Sequence, residues 1–224
     1  MKRIYLLSGL LKEGGFSSCV KEDLMLDLKM LKCCVLISTK PDNYDSNDEY
    51  KERMVRDLKE VGFYGNVILL DNRISLDYAK EVLKNADFIY LLGGDPVRQL
   101  KYILENGFDE IIRNSNALVI GTSAGAMNLC CQVYCSKDED FLESMFYKGL
   151  GLVNLIIDPH FDVNNLEQVK EIKLHSKNKE IIGLPDDSAI IIEDEKIIYR
   201  GNVYLYKNGE LANKKELLLD SSKV

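Results

Sequence analysis

The amino-acid sequence predicts an α/β fold, in which an open, mainly parallel and doubly wound sheet ends in antiparallel hairpin strands. Two patterns support this prediction. Short apolar runs alternate with amphipathic segments through most of the chain, and three closely spaced apolar runs come near its end. Apolar strands that alternate with helices are typical of a parallel sheet covered on both faces, whereas strands joined by short turns form antiparallel hairpins.

The predicted elements follow from these runs. The parallel strands are expected at 4–7, 34–38, 67–70, 88–92, 118–120 and 155–157. Apolar residues at helical spacing predict helices over 48–61, 76–84 and 97–105. The late strands are expected at 189–192, 196–199 and 203–206, with short turns between them. Because no repeat or linker is found, we expect one domain over residues 1–224.

Composition excludes several classes of protein. Apolar residues make up 46% and charged residues 29% of the chain, as in globular proteins. The net charge is −7 and the basic residues are scattered, so we expect no nucleic-acid partner. No apolar stretch approaches the ~20 residues of a membrane span, and the first apolar run is too short for an export signal. We therefore expect a cytoplasmic protein with no membrane partner.

The six cysteines include the adjacent pairs Cys33-Cys34 and Cys130-Cys131, with Cys135 nearby. Adjacent side chains point in different directions, and no export signal is predicted, so we expect reduced and mostly buried thiols. Cys130, Cys131 and Cys135 lack the C-x₂-C spacing and the fourth ligand of a zinc site. We expect neither a metal ion nor another cofactor.

The strongest functional motif is Gly121-Thr122-Ser123-Ala124-Gly125, which directly follows the apolar run 118–120. In a Gly-x-Ser-x-Gly elbow the serine occupies a strained strand-to-helix turn, and the flanking glycines leave room for neighbouring backbone. The turn raises the hydroxyl above the sheet. We predict that Ser123 is a nucleophile; the alternative is an ordinary glycine-rich turn.

A serine nucleophile needs a base, and the chain has two histidines, His160 and His175. His160 follows an apolar run and Pro159, at a strand end where α/β sheets place their sites. His175 lies in a charged helical stretch and is expected on the solvated surface. We predict that His160 is the base, with a structural histidine as the alternative.

Three motifs together resemble the peptidase E family of serine exopeptidases, which are related to the cyanophycinases. The first is Gly-x-Ser-Ala-Gly-Ala at 121–126, followed by Pro159-His160-Phe161. The second is Gly93-Gly94-Asp95, which is similar to the family's Gly-Gly-Asn loop. The third is the turn at 182–189, before the late strands. The matches extend from residue 91 to residue 189.

The resemblance implies a fold like that of the class I glutamine amidotransferases, with Ser123 as nucleophile and His160 as base. It also implies an acidic third residue shortly after the helix that follows the serine. Asp138 matches this position. The alternatives are Glu139, Asp140 and Glu143, or an acidic run that is only a solvated loop.

The resemblance also suggests the groups around the nucleophile. The amides of Gly94 and Ala124 are expected to form an oxyanion hole. The residues expected to contact substrate are Gly93, Asp95, Asp186 and Lys170. Asp95 has a second interpretation as a helix N-cap before Pro96.

Two departures from the family pattern affect specificity. Asp95 replaces an asparagine, and the arginine expected soon after His160-Phe161 is missing. Lys170 could supply a point charge there, but not the bidentate contact of an arginine. We therefore expect weak selectivity for an N-terminal aspartate unless Lys170 or Arg98 reaches the pocket.

The sequence thus predicts a serine exopeptidase or dipeptidase that hydrolyses short peptides, Asp-X dipeptides among them, through an acyl-enzyme on Ser123. The alternatives are a cyanophycinase-like or other amide or ester hydrolase, and a nucleotide- or phosphate-binding module. A phosphate module would use Gly14-Gly15, which lies away from the first strand and lacks the G-x-G-x-x-G pattern. The expected partner is a small peptide, bound by a monomer or homodimer.

Overall fold

The structure is a computed structural model that describes residues 3–11, 13–137, 143–194 and 196–212. Its strands are Arg3–Leu7 (β1), Cys33–Ile37 (β2), Asn66–Leu70 (β3), Phe88–Leu91 (β4), Leu118–Thr122 (β5), Gln132–Cys135 (β6), Met145–Lys148 (β7), Ile157–Pro159 (β8), Ile181–Leu184 (β9), Ala189–Glu193 (β10), Lys196–Arg200 (β11), Tyr204–Lys207 (β12) and Glu210–Leu211 (β13). Its helices are Ser18–Leu28 (α1), Tyr44–Glu60 (α2), Leu76–Lys84 (α3), Pro96–Glu105 (α4), Phe108–Asn114 (α5), Ala124–Leu129 (α6) and Leu166–His175 (α7).

The main sheet has seven strands in the order β11-β10-β1-β5-β4-β2-β3. The five strands from β1 to β3 in this order run parallel to one another. Strand β10 pairs antiparallel with β1, and β11 pairs antiparallel with β10. The structure therefore confirms the predicted α/β class and the mainly parallel sheet with antiparallel strands at one edge.

Both faces of this sheet are buried, and strand β1 shows how. Ile4 and Leu6 join one hydrophobic cluster, whereas Tyr5 and Leu7 join a second cluster on the opposite face. Side chains alternate between the two faces of a strand, so each face needs apolar residues when helices cover both. This is why the central strands are continuous apolar runs in the sequence.

Two helix starts show how side chains set the boundaries. The predicted start of α2 at residue 48 is late, because the Asn43 side chain caps the helix earlier by accepting from the Ser46 amide at 3.3 Å. The Asp95 carboxylate accepts from the Arg98 amide at 3.0 Å, with Pro96 as the first residue of α4. The N-cap interpretation of Asp95 is therefore confirmed.

The last predicted hairpin is wrong. Strand β12 does not pair with β11 but belongs to a second sheet, in the order β13-β12-β9-β8. Gly201 lies between β11 and β12 with φ +74°, and a Cβ there would lie 2.6 Å from the Asp187 carbonyl oxygen. The chain turns away at this glycine, so β12 pairs antiparallel with β9 instead.

The second sheet also corrects the predicted strand at 155–157. Pairing begins at Ile157, opposite Ile182 of β9, and ends at Pro159. This register brings β8 to the carboxyl end of the main sheet, and His160 follows β8 directly. Among the described residues, no helix is both long enough and apolar enough to cross a membrane.

Replacing Leu6 with alanine tests the central position of β1. Leu6 is fully buried, so we expect Leu6→Ala to lower the free energy of unfolding by about 2–5 kcal/mol through lost burial and a residual cavity. Leu26→Ala is the control, because Leu26 is 68% exposed, and should change stability by less than about 0.5 kcal/mol. Urea unfolding followed by circular dichroism measures both, and equal effects would contradict the assigned core.

Candidate active site

Ser123 occupies a strained turn between β5 and α6. Its φ is 49° and its ψ is −114°, a backbone conformation that side-chain-bearing residues rarely adopt. Two hydrogen bonds hold the turn: the Ser123 amide donates to the Leu7 carbonyl at 2.9 Å, and its carbonyl accepts from the Met127 amide at 2.9 Å. The hydroxyl group is therefore fixed at the carboxyl edge of the sheet.

The flanking glycines are required by close backbone contacts. A Cβ at Gly121 would lie 2.6 Å from the Ala126 nitrogen, and a Cβ at Gly125 would lie 2.1 Å from the Leu91 carbonyl oxygen. Neither contact can be relieved by moving a flexible side chain. The spacing Gly-x-Ser-x-Gly in the sequence thus reflects the packing of α6 against β4 and β5.

His160 also has an unusual backbone, with φ 59°. Its amide donates to the Ser8 hydroxyl oxygen at 2.8 Å, and the Ser8 hydroxyl donates to the Leu184 carbonyl at 2.7 Å. Ser8 is fully buried at the end of β1. This one hydroxyl group ties His160 to the ends of β1 and β9 and supports the strained conformation.

The structure brings Ser123, His160 and Asp186 together. His160 Nε2 lies 2.8 Å from Ser123 Oγ, and His160 Nδ1 makes a hydrogen bond with the Asp186 carboxylate. The side chains of His160 and Asp186 are 53% and 60% exposed, so this part of the site is open to solvent. In this arrangement a carboxylate can orient an imidazole that accepts the serine proton.

The position of Asp186 differs from the prediction, which put it against the substrate. Asp138, the residue predicted to orient the histidine, lies outside the described residues, as do Glu139 and Asp140. Glu143 is described and is exposed. Asp186 was within a motif that the sequence analysis had singled out, but the motif alone gave no sign that this carboxylate meets the imidazole.

A cavity of about 280 Å³ adjoins the nucleophile. Its lining residues are Gly94, Pro96, Ser123, Ala124, Met127, Cys135, Ser136, Asp158, Pro159 and His160. Gly94 and Ala124, the residues predicted to form an oxyanion hole, thus both border it. Gly94 has φ +132°, and a Cβ there would lie 2.4 Å from Thr39 Oγ1, so the position needs glycine.

The cavity lining does not include three other residues that were predicted to contact substrate: Gly93, Asp95 and Lys170. A Cβ at Gly93 would lie 3.5 Å from the Ser123 Cβ, so its backbone runs beside the nucleophile. Asp95 caps α4, as described above. Lys170 is exposed on α7 and is not among the lining residues. The Arg98 guanidinium forms an ion pair with Asp42.

His175 is not the solvated surface residue that the sequence predicted. Its Nε2 lies 3.2 Å from a Glu171 carboxylate oxygen, and its ring packs against Tyr134 and Phe146. Its side chain is 26% exposed. The aromatic neighbours on β6 and β7 lie far along the sequence, which is why the charged flanks of His175 were misleading.

The thiols and carboxylates that the structure describes do not form a metal site. All six cysteines are free. Burial raises the pKa of the Cys34 and Cys130 thiols, which favours the neutral form of both. No group of three or more His, Cys, Asp or Glu side chains within the described ranges could hold a metal ion.

Two other features lie apart from Ser123. A cavity of about 400 Å³ between the two sheets has Cys131, Lys179 and Tyr199 in its wall but neither Ser123 nor His160. The Gly14-Gly15 turn faces the carboxylates of Asp57 and Glu60. Those two carboxylates form ion pairs with Arg53 and Lys21.

The sequence of this chain is similar to those of known proteins. The model of peptidase family S51 matches residues 41–200, which include Ser123, His160 and Asp186. A peptidase E from Nostoc sp. is 29% identical over 175 residues, covering 72% of this chain and 70% of that protein. A peptidase E from Salmonella arizonae is 28% identical over 182 residues, covering 74% of this chain and 76% of that protein.

Two solved structures share the fold. A peptidase from an acI-B1 actinobacterium has a TM-score of 0.67 at 16% identity, covering 95% of this chain and 93% of that chain. A protein from Listeria monocytogenes EGD-e, proposed to be a peptidase E, has a TM-score of 0.64 at 22% identity, covering 90% of this chain and 100% of that chain. The family model matches most of this chain, over residues 41–200. The chain therefore belongs to peptidase family S51 and is a serine peptidase.

Proposed function

We propose that the enzyme is an exopeptidase or dipeptidase that hydrolyses short peptides through an acyl-enzyme on Ser123. The observation that carries the proposal is the 2.8 Å contact between Ser123 Oγ and His160 Nε2, with Asp186 on the other ring nitrogen. The peptidase E names of the relatives support this substrate class. We also propose a cytoplasmic location, as expected in the sequence analysis.

The first half of the reaction forms the acyl-enzyme. Ser123 Oγ attacks the scissile carbonyl carbon while His160 Nε2 accepts the hydroxyl proton. The carbonyl oxygen becomes an oxyanion, which the amides of Gly94 and Ala124 stabilise from the cavity wall. Collapse of this intermediate breaks the C–N bond, and the amine leaves with the proton that His160 returns.

The second half releases the product. A water molecule takes the place of the amine, gives a proton to His160 and attacks the acyl carbon. The Ser123 oxygen leaves and regains its proton, and the peptide fragment departs as a carboxylic acid. Throughout, Asp186 holds the imidazole in the tautomer that carries its proton on Nδ1, which leaves Nε2 free to accept.

The open position of the His160 and Asp186 side chains supports small substrates. With about half of each side chain exposed, a short peptide can reach Ser123 from solvent without a rearrangement of the sheet. The cavity of about 280 Å³ is near the lower end of the size expected for a small-molecule site. A site of this size holds one or two residues rather than an extended chain.

Removing the nucleophile tests the proposed function. We expect Ser123→Ala to abolish hydrolysis of a panel of dipeptides and labelling by a serine-directed fluorophosphonate, because no other group supplies the attacking oxygen. The fold should persist, since the substitution removes only the hydroxyl group. Activity within tenfold of the parent, or labelling of the Ser123→Ala protein at the parent rate, would refute the assignment.

Replacing Asp186 tests the assignment of the acid. An amide at this position cannot favour the productive tautomer, so we expect Asp186→Asn to lower kcat by about 10²–10⁴. Asp187→Asn is the matched control, because Asp187 is the adjacent exposed carboxylate, and it should retain kcat within about threefold. If Asp138→Asn caused the large loss and Asp186→Asn did not, the acid predicted from sequence would be correct.

Replacing Gly9 tests how closely the acid and base must be placed. A Cβ at Gly9 would lie 3.0 Å from the Asp186 carboxylate and 3.3 Å from His160 Cε1. We expect Gly9→Ala to lower kcat at least about tenfold by displacing this pair, because small errors of placement are costly in catalysis. Circular dichroism should show an unchanged fold, and an unchanged kcat would mean that the pair tolerates displacement.

A further inference from the structure

The Thr39 hydroxyl contacts the glycine loop that follows β4. It donates to the Gly93 carbonyl at 3.2 Å, one peptide bond before the Gly94 amide that is expected to stabilise the oxyanion. Thr39 lies two residues beyond the end of β2 and is 6% exposed. The preceding residue is also held, because the Ser38 hydroxyl oxygen accepts from the Lys40 amide at 2.9 Å. The loop is therefore bonded to a fixed hydroxyl group, and the reaction described above gives that group no role.

This bond determines where the Gly94 amide points. The described residues contain no cis peptide bond, and in a trans peptide the carbonyl and the next N–H point in opposite directions. Strand β4 lies between β2, which leads to Thr39, and β5, which leads to Ser123. Because the Gly93 carbonyl points towards Thr39, the Gly94 N–H points towards the Ser123 side. Within the described part of the chain, no backbone carbonyl accepts from this amide.

The peptide between the two glycines has little else to fix its orientation. Glycine has no Cβ and adopts positive and negative φ values with similar ease, so a peptide between two glycines can rotate at low cost. The loop is held just before it, because the side-chain amide of the buried Gln99 donates to the Leu92 carbonyl at 3.0 Å. The Thr39 bond acts one residue later, on the Gly93 carbonyl itself. It therefore selects one orientation of a peptide that the chain alone leaves adjustable.

We propose that Thr39 is a positioning residue that keeps the Gly94 amide directed at the oxyanion. This inference rests on the proposed function and deepens it. Thr39 does not line the cavity beside Ser123, so it acts through the peptide that it holds. An oxyanion donor stabilises the transition state much more than the bound substrate. Loss of the Thr39 hydroxyl therefore lowers the rate of acyl transfer and leaves substrate affinity nearly unchanged.

Variants that remove or keep the hydroxyl group test the proposal. A donor in the oxyanion hole is worth about 10²–10³ in kcat, and a misdirected donor loses part of this. We expect Thr39→Val, which keeps the shape, and Thr39→Ala to lower kcat for dipeptides about 10–100-fold. Thr39→Ser keeps the hydroxyl group and should stay within about threefold of the parent. A loss confined to Val or to Ala, or an equal loss in Ser, would indicate packing and overturn the proposal.

Ser176→Ala is the matched control. Ser176 is fully buried, its hydroxyl donates to the Lys173 carbonyl at 3.4 Å, and it is outside the cavity lining. This variant loses a buried hydroxyl group that bonds to backbone, as Thr39→Ala does, but at a distant position. Its kcat should stay within about threefold of the parent. A loss as large as that of Thr39→Ala would mean that removal of any buried hydroxyl group lowers kcat, and would overturn the proposal.

Two affinities separate positioning from a general structural effect. An alkylboronic acid accepts an electron pair from Ser123 Oγ, whose proton passes to His160, and becomes a tetrahedral anion like the intermediate. Thr39→Val should raise its inhibition constant at least about tenfold. In the Ser123→Ala protein, the same substitution should change the Kd of a dipeptide less than about threefold by calorimetry. The pH profile of kcat/KM should keep its shape. Equal losses in both affinities would overturn the proposal.

Fluorophosphonate labelling distinguishes failure of this proposal from failure of the proposed function. If the parent hydrolyses dipeptides and Thr39→Val matches it in kcat and in boronate inhibition, only the proposal for Thr39 fails. If the parent is labelled but hydrolyses no dipeptide, the labelling rate replaces kcat. It should then be at least about tenfold lower in Thr39→Val, and an unchanged rate would refute the role of Thr39. If the parent is neither labelled nor active, the proposed function fails and this proposal fails with it.

Discussion

The close approach of α6 to strands β4 and β5 is the constraint on which the site depends. A Cβ at Gly125 would lie 2.1 Å from the Leu91 carbonyl oxygen, so the helix can begin here only with glycine at this position. The chain must then turn sharply between β5 and α6, and Ser123 takes the positive φ of that turn. Strand β5 is paired on both sides, by β1 and β4, so the strain is held in the interior of the sheet. The nucleophile is therefore positioned by backbone packing before any side chain of the site contributes.

His160 and Asp186 are positioned by other contacts than those that hold Ser123. His160 is held through its backbone by the Ser8 hydroxyl at the end of β1, whereas Asp186 lies in the turn between β9 and β10. That turn is closed by the Ser188 amide, which donates to the Pro185 carbonyl at 2.9 Å, and the Cys19 thiol donates to the neighbouring Asp187 carbonyl. Ser123, His160 and Asp186 thus come from three separate segments. The Leu7 carbonyl at the end of β1 accepts from Ser123, and Ser8, which directly follows β1, accepts from His160. Because β1 lies between the parallel strands and the antiparallel edge, it links the elbow to the turn that carries the acid.

How much could be predicted depended on whether a feature is local in sequence. The central strands, the elbow and His160 at a strand end are all encoded by short runs of residues, and the predicted fold class is the observed one. The partner of His160 is not local, because the sequence pointed to the acidic run at 138–143, whereas the turn between β9 and β10 brings Asp186 to Nδ1. The second sheet was missed for the same reason. The sequence predicts β12 as the last strand of a hairpin, but the chain turns at Gly201 and β12 pairs with β9. His175 was misjudged because its aromatic neighbours come from distant strands.

Asp186 and Asp158 show how one fold can place two carboxylates near the same histidine in different surroundings. Asp186 is largely exposed, and its carboxylate makes a directed hydrogen bond with the His160 imidazole. Asp158 is almost fully buried and accepts from the Ser136 hydroxyl at 2.9 Å, so packing in the cavity wall sets its position. The Asp158 carboxylate is therefore held by a contact that is separate from those that join Ser123, His160 and Asp186.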